Sequence, residues 1–422
     1  MKTDYGYRVA RNRRLLYARL AVSVVAEMLA ARLVLGALGV DDYGVFAAAY
    51  GGIGALFFFT GAFEAAARRF ICSDQLNFSP LLGLTLVLCG AVGFFGVILS
   101  AAVFPQSFAL LLPLLCVFVL QVLRLPFEAC VIASERMEFF LALTLCESAS
   151  LILSALLIPC LSVSPLMAYA LLRLVVAVLT AMIVVLYCRR RYAESRGMPT
   201  FRLARIGPIF GFFGWHALGS VAGLLKGNGI LLLLAAYAGA DGCAACDAAG
   251  KISALLWGLI ANYRMAYLPG IVKAWTNGAR DSFVRCASRA FRFSAAGMTL
   301  VVVPILIWAS QICRIWLDED VPPAADMFMR MFAIQFYFEA LATPLDTAIL
   351  ATGRIARYEV VLTALLGTSF FLAWLFLAIG LPAWTAAGAV AFVNLFAFLY
   401  RFAHLRQNHG IAIRAWFCRF AS

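Results

Sequence analysis

Apolar runs of about 20 residues recur along this chain from one end to the other, and that feature removes most folds from consideration. Such a run crosses the hydrocarbon core of a bilayer as helix, where every backbone N–H and C=O must find its partner inside the protein. The runs are rich in Leu and Ala and show no period-2 alternation, so helices rather than a β-barrel are expected. Composition excludes a soluble domain: 64% of the 422 residues are hydrophobic and only 13% charged, against about 25% charged in soluble proteins. The expectation is an all-α polytopic membrane protein with about twelve spans. They fall near 15–38, 43–66, 80–104, 108–132, 140–162, 165–187, 207–235, 243–271, 290–312, 326–351, 358–380 and 383–404.

The formal net charge of +13 raises nucleic acid as a partner, but the cations sit in alternate loops, which is the pattern of membrane orientation. One set of loops carries Lys2, Arg8, Arg11, Arg13 and Arg14, then Arg68 and Arg69, Arg136, a central arginine run, Lys273, Arg280, Arg285, Arg289 and Arg292, Arg354 and Arg357, and a basic tail. The opposite loops read GVDDYG, FPQS, SVSP, ADGCAACD, LDEDVPPAAD and GLPAW, with acids and almost no cations. An even number of spans with both termini cytoplasmic accounts for this asymmetry. The basic N-terminus and spanning-length first apolar run show no cleavable signal.

The segment CRRRYAESRGMPTFRLARI, residues 188–206, divides the chain into an N-terminal six-helix bundle at 1–187 and a C-terminal bundle with a short tail at 207–422. An internal repeat supports six plus six. PFEACVIASER at 126–136 aligns with PLDTAILATGR at 344–354, placing Pro126 over Pro344, Glu128 over Asp346 and Arg136 over Arg354. LGVDD at 38–42 and AGADG at 238–242 likewise occupy the first turn of each half. An even number of helices per repeat keeps both copies in one orientation, so the halves are expected to be related by a pseudo-two-fold axis along the membrane normal, around a central cavity.

Enzyme motifs are missing. There is no phosphate-binding loop, no H-E-x-x-H and no G-x-S-x-G, and only three His are present. No catalytic residue, metal site or cofactor is expected, and the chain does not read as an enzyme. Cys243 and Cys246 form a C-x-x-C pair that fits two small residues in a turn better than a disulfide or redox site, because no companion motif accompanies it. Charges inside spans carry the functional information, because they are expensive there. Arg124 and Glu128 stand one turn apart and are expected to pair, while Glu128 and Asp346 brace helix ends beside the repeated prolines. Arg32, Arg173, Lys226, Lys251 and Arg264 fall within spans of both halves and are read as having no acid one turn away. They are the candidates for a cationic cavity, where Arg matches phosphate oxygens bidentately. Pairing between helices with Glu27, Glu64 or Glu147 is the rival reading. Glycines in GFFGWHALGSVAGLLKGNG, with Pro269 and Pro304, mark helices able to bend or to pack closely.

RLVLGALGVDDYG from Arg32 to Gly44, followed by an apolar helix and Arg69-Phe70, resembles the opening of bacterial polysaccharide (O-antigen type) flippases of the multidrug/oligosaccharidyl-lipid/polysaccharide exporter superfamily. GWHALGSVAGLLKGNG at 214–229, YLPGIVK at 267–273 and ATGRIARYE at 351–359 extend the resemblance, in order, over nearly the whole chain. It implies two six-helix bundles in a V, and turnover of a polyprenyl-pyrophosphate-linked oligosaccharide from the cytoplasmic to the periplasmic leaflet of the inner membrane. Membrane lipids and polysaccharide polymerase or assembly proteins are the implied partners. Arg32, Lys226 and Arg354 fall where the family pattern carries a cation, whereas DAAGKI at 247–252 lacks the Arg that the pattern places before Gly, and Arg264 replaces a neutral polar residue.

The expected mechanism is alternating access, with Glu27, Glu64 or Glu147 as candidate sites for a coupling proton or cation. A cation-coupled multidrug exporter of the same superfamily is the alternative and calls for an acidic cavity. A non-transporting membrane scaffold is the third class.

Overall fold

The computed structural model describes residues 2–57, 60, 63, 67, 78–103, 108–134, 136–201, 221, 223–318, 320–351 and 356–409. Its α-helices are α1 (Lys2–Leu56), α2 (Phe78–Val103), α3 (Phe108–Ala133), α4 (Met137–Leu157), α5 (Pro165–Arg191), α6 (Asn228–Tyr237), α7 (Gly239–Thr276), α8 (Arg280–Leu317), α9 (Ala325–Ala351), α10 (Ala356–Ala378) and α11 (Thr385–His409). Among the described residues, nine helices are long and apolar enough to cross a membrane, and the chain is a multi-pass membrane protein. Helix α9 is not one of the nine despite its 27 residues, because Asp326, Arg330, Glu339 and Asp346 interrupt its apolar run.

The chain separates into two compact units, Met1–Leu224 and Leu225–Ser422. In the first unit α1 packs along α4, and α3 lies against α2 and α5. Helix α1 is two helices joined at Gly39, whose backbone (φ 77°, ψ 169°) only glycine adopts without strain. The turn expected at 38–42 is this break. In the second unit α9 is central, packed against α7, α8 and α11, while α10 packs on α11 and α6. Gly239, the counterpart of Gly39 in the repeated turn, also has positive φ (66°) and joins α6 to α7.

Side-chain placement is that of a protein dissolved in lipid. Large apolar residues such as Phe94, Phe95, Leu300 and Phe371 face outward, while buried positions hold many alanines that let helices approach closely. Two expected boundaries need correction. Arg280, Arg285, Arg289 and Arg292, read as a loop, stand on α8, which begins ten residues before the expected span. The extension is amphipathic: Phe283, Ala287, Ala290, Phe291 and Ser294 are buried, and Arg280, Arg285 and Arg289 are exposed. Hydropathy alone misses it because half of its circumference is charged. Helix α7 likewise runs on to Thr276, beyond the expected end. The expected span 207–235 falls largely outside the described residues, which resume at Val221; α6 begins after a break at Gly227 (φ −100°, ψ −91°).

The start of the central basic segment is held in place. Residues Ala193–Arg196 form a 3₁₀ turn, Ser195 is fully buried, and the Thr200 N–H donates to the Ser79 carbonyl at 3.0 Å. Gly83 on α2 lies directly under the Thr200 carbonyl, so a Cβ there would overlap the backbone of residue 200. Gly83→Val is therefore expected to lift this segment and speed amide hydrogen exchange across 192–201. Gly90→Ala, where no atom lies within 4 Å of the added carbon, is expected to leave exchange unchanged.

Candidate functional site

Charged side chains inside the spans gather into clusters within each unit, and low polarity around them dictates pairing. In the first unit the centre is Arg124 on α3. Its Nε lies 2.6 Å from Glu128 Oε1 on the same helix, and its Nη1 donates to Glu147 on α4 and to Thr180 Oγ1 on α5 at 3.3 Å. The side chains of Arg124 and Glu147 are 17% and 30% exposed, so the pair is largely removed from solvent. Arg173 on α5 stands near the same cluster, within electrostatic reach of Tyr50 of α1, of Tyr169 and of Glu147. Three helices, α3, α4 and α5, are thereby tied through Arg124.

The second unit holds separate sites. Lys226, the residue before the break at Gly227, donates from Nζ to Glu339 Oε2 on α9 at 2.8 Å and to Asn394 Oδ1 on α11 at 3.3 Å. Asn394 is buried, and its amide N–H donates to the Val390 carbonyl one turn back. Lys251 pairs with Asp247 on α7 at 3.1 Å. Asp346 accepts from Tyr358 Oη of α10 and from Arg401 Nε of α11 at 3.3 Å, and Tyr358 is completely buried. Asp326, Arg330 and Ser310 make a fourth group linking α8 and α9, with the Ser310 hydroxyl donating to Asp326 at 2.7 Å.

The residues singled out from sequence divide as follows. Arg173 and Glu147 lie in one cluster, and Lys226 and Lys251 occupy two distinct sites of the second unit. Arg32 and Glu27 are exposed on α1, within the apolar span Ala21–Ala55. Arg264 lies on α7 with its side chain outside the described structure, and Glu64 and Arg354 lie outside the described residues. The reading of Lys251 as lacking an acid one turn away is corrected: Asp247, four residues earlier, is its partner. The expected pairing of Arg124 with Glu128 is present, and Glu147 joins it. Sequence reasoning missed Asn394 and Tyr50, which are neutral, and the engagement of Arg401, which reads as part of the tail. Cys243 and Cys246 are buried and unbridged in the first turns of α7.

No protein-family model matches the chain, and no curated protein matches it by sequence. Solved structures do resemble it. The inward-facing conformation of a multidrug resistance MATE family transporter of the MOP superfamily matches with a TM-score of 0.75 at 14% identity, over 92% of this chain and 96% of that one. The lipid II flippase MurJ, in an inward closed conformation, matches with a TM-score of 0.73 at 13% identity, over 96% of this chain and 89% of that one. A MOP superfamily transporter from Pyrococcus furiosus, described as having a binding pocket of reverse polarity, matches with a TM-score of 0.62 at 14% identity, over 94% of each chain. At such identities the likeness establishes the fold alone, which this chain shares with those structures.

The Arg124 cluster makes a sign-specific prediction. Arg124→Gln strands Glu128 and Glu147 and is expected to cost about 3 kcal/mol, the scale of breaking a buried pair from one side. Arg124→Gln combined with Glu147→Gln should recover part of that loss. Thermal unfolding of the purified variants in detergent measures both, and simple additivity would count against the pairing.

Proposed function

We propose that this chain is a flippase that carries a polyprenyl-pyrophosphate-linked oligosaccharide from the cytoplasmic to the periplasmic leaflet by alternating access. The reading takes the chain as twelve spans in two six-helix bundles of the inner membrane, with both termini cytoplasmic. One observation carries it: Glu128, Glu147, Asp247, Asp326, Glu339 and Asp346 are each engaged by a cation of their own unit. Their negative charge is neutralised internally, which disfavours capture of a cationic drug. Arg32 and Arg173 sit at positions that could meet an anionic head group, one exposed within an apolar span and the other half-buried near Tyr50 and Tyr169. The ordered motifs that resemble polysaccharide flippases, and the fold shared with a lipid II flippase, support the same substrate class.

In this mechanism the pyrophosphate-sugar head enters a polar space from the cytoplasm while the lipid tail stays in the bilayer. Arg32, Arg173, Lys226, Lys251 and Arg264 supply positive charge along the way. Lys226 and Lys251 engage the head only as phosphate oxygens displace Glu339 and Asp247, so Arg32 and Arg173 supply the first contacts. Polysaccharide polymerase or assembly proteins would receive the product.

A cation-coupled multidrug exporter is the second reading. Glu27 favours it, as an acid exposed within the span Ala21–Ala55, where a proton or cationic substrate could bind.

Transfer of a fluorescent polyprenyl-pyrophosphate oligosaccharide in proteoliposomes separates the two. Wild type is expected to transfer the lipid, and Arg32→Ala/Lys251→Ala to lose at least about tenfold in rate, the equivalent of about 1.4 kcal/mol. Efflux of a cationic dye, lost on Glu27→Gln and without lipid transfer under any imposed gradient, would instead establish the exporter.

A further inference from the structure

The arginine-rich segment after α5, which the transport reading leaves unused, is built as a fixed surface. Arg189, Arg190 and Arg191 end α5 and are all exposed. The chain then turns back over that helix end: the Tyr192 N–H donates to the Cys188 carbonyl at 2.8 Å, and the Ser195 hydroxyl donates to the Tyr192 carbonyl at 2.7 Å. Arg196 reaches back, donating from Nε to the Arg189 carbonyl at 2.7 Å and from Nη2 to the Arg190 carbonyl at 3.2 Å. Those are terminal helix carbonyls that would otherwise need water. Tyr192 of the turn packs on the core of Phe78, Phe127, Phe140, Val184 and Cys188.

A fifth arginine joins from the residue just before α4. Phe139 of α4 stacks on Tyr187 of α5, with ring centroids 3.8 Å apart, and this brings Arg136 and Arg191 to the same tyrosine. Arg136 is exposed, and Glu138 two residues on is an exposed acid. Beyond the turn, Met198 is 85% exposed and Phe201 56% exposed. Setting orientation needs only the presence of arginines near a span; it does not need them held in register beside exposed apolar side chains. A fixed cluster of arginines at the end of a 27-residue span, flanked by two apolar residues, is complementary to a leaflet that offers phosphate charge over hydrocarbon.

We propose that this face of the first unit binds anionic phospholipid head groups of the leaflet at which α5 ends. Arg189, Arg190, Arg191 and Arg136 contact lipid phosphates, Arg196 holds the turn that presents them, and Met198 and Phe201 insert at the acyl boundary. The site is independent of transport, since a protein that moves no lipid-linked sugar would still retain such lipids.

Full-length protein in nanodiscs of equal phosphatidylglycerol and phosphatidylcholine, released into detergent and analysed by native mass spectrometry, tests this. Wild type is expected to keep phosphatidylglycerol in preference to phosphatidylcholine, and to lose it at about 0.5 M salt, where the Debye length shrinks to several ångströms. Arg189→Gln/Arg191→Gln should weaken retention about 30-fold, at about fivefold per arginine, whereas Arg280→Gln/Arg285→Gln on α8 should leave it unchanged. If the double variant does not fold, Arg190→Gln is read instead, with about a fivefold loss expected. Equal retention of both lipids, or retention that Arg189→Gln/Arg191→Gln leaves intact, overturns the proposal.

Discussion

A charge carried into a bilayer must find a partner or water, and the arrangement of helices in each unit is organised around that requirement. Arg124 draws acids from α3 and α4 and a hydroxyl from α5 onto one guanidinium, and Lys226 draws an acid from α9 and an amide from α11. Apolar packing alone is weakly directional between helices already dissolved in hydrocarbon, so these polar contacts fix which helix faces meet and at what height. The same contacts confine the functional question, because a transported ion or head group has to compete with the internal partners already present.

The internal repeat shows how one position is solved twice by different means. Pro126 and Pro344 each precede an acid by two residues near the end of a helix, and both acids are met by an arginine. Glu128 takes its arginine from the preceding turn of its own helix, while Asp346 takes Arg401 from α11 and adds the buried Tyr358 of α10. The proline and the acid persist between the halves, and the source of the arginine that meets the acid does not. The first arrangement stiffens one helix, and the second fastens three together.

The membrane-spanning character of most helices and the two glycine turns were legible because each rests on local composition or on a single residue type. Gly39 and Gly239 stand in matching short motifs and both adopt positive φ. The site was legible only where partners lie one turn apart: Glu128 beside Arg124, and Asp247 beside Lys251, a pair whose spacing carries the information even though the sequence reading treats Lys251 as lacking it. Arg124 with Glu147 spans 23 residues, and Lys226 with Asn394 spans 168, and nothing in a linear pattern joins them. Neutral partners such as Tyr50 and Asn394 carry no charge signal at all. The start of α8 was hidden for the opposite reason, since its arginines mimic a loop while its buried face continues the helix.

The distance in sequence between Lys226 and Glu339 also has a meaning in time. A lysine placed within a span costs about 2.5–3.5 kcal/mol at insertion, and its acid is 113 residues further along the chain. Synthesis at about 5–20 residues per second delivers that acid roughly 6–23 s later. Through that interval the nascent second unit carries an ammonium whose final partner does not yet exist. Until α9 is made, that charge has to be met by water, by lipid phosphate or by the insertion machinery. The final fit of this half thus waits on α9, whereas in the first unit Arg124 meets Glu128 four residues later and Glu147 after 23.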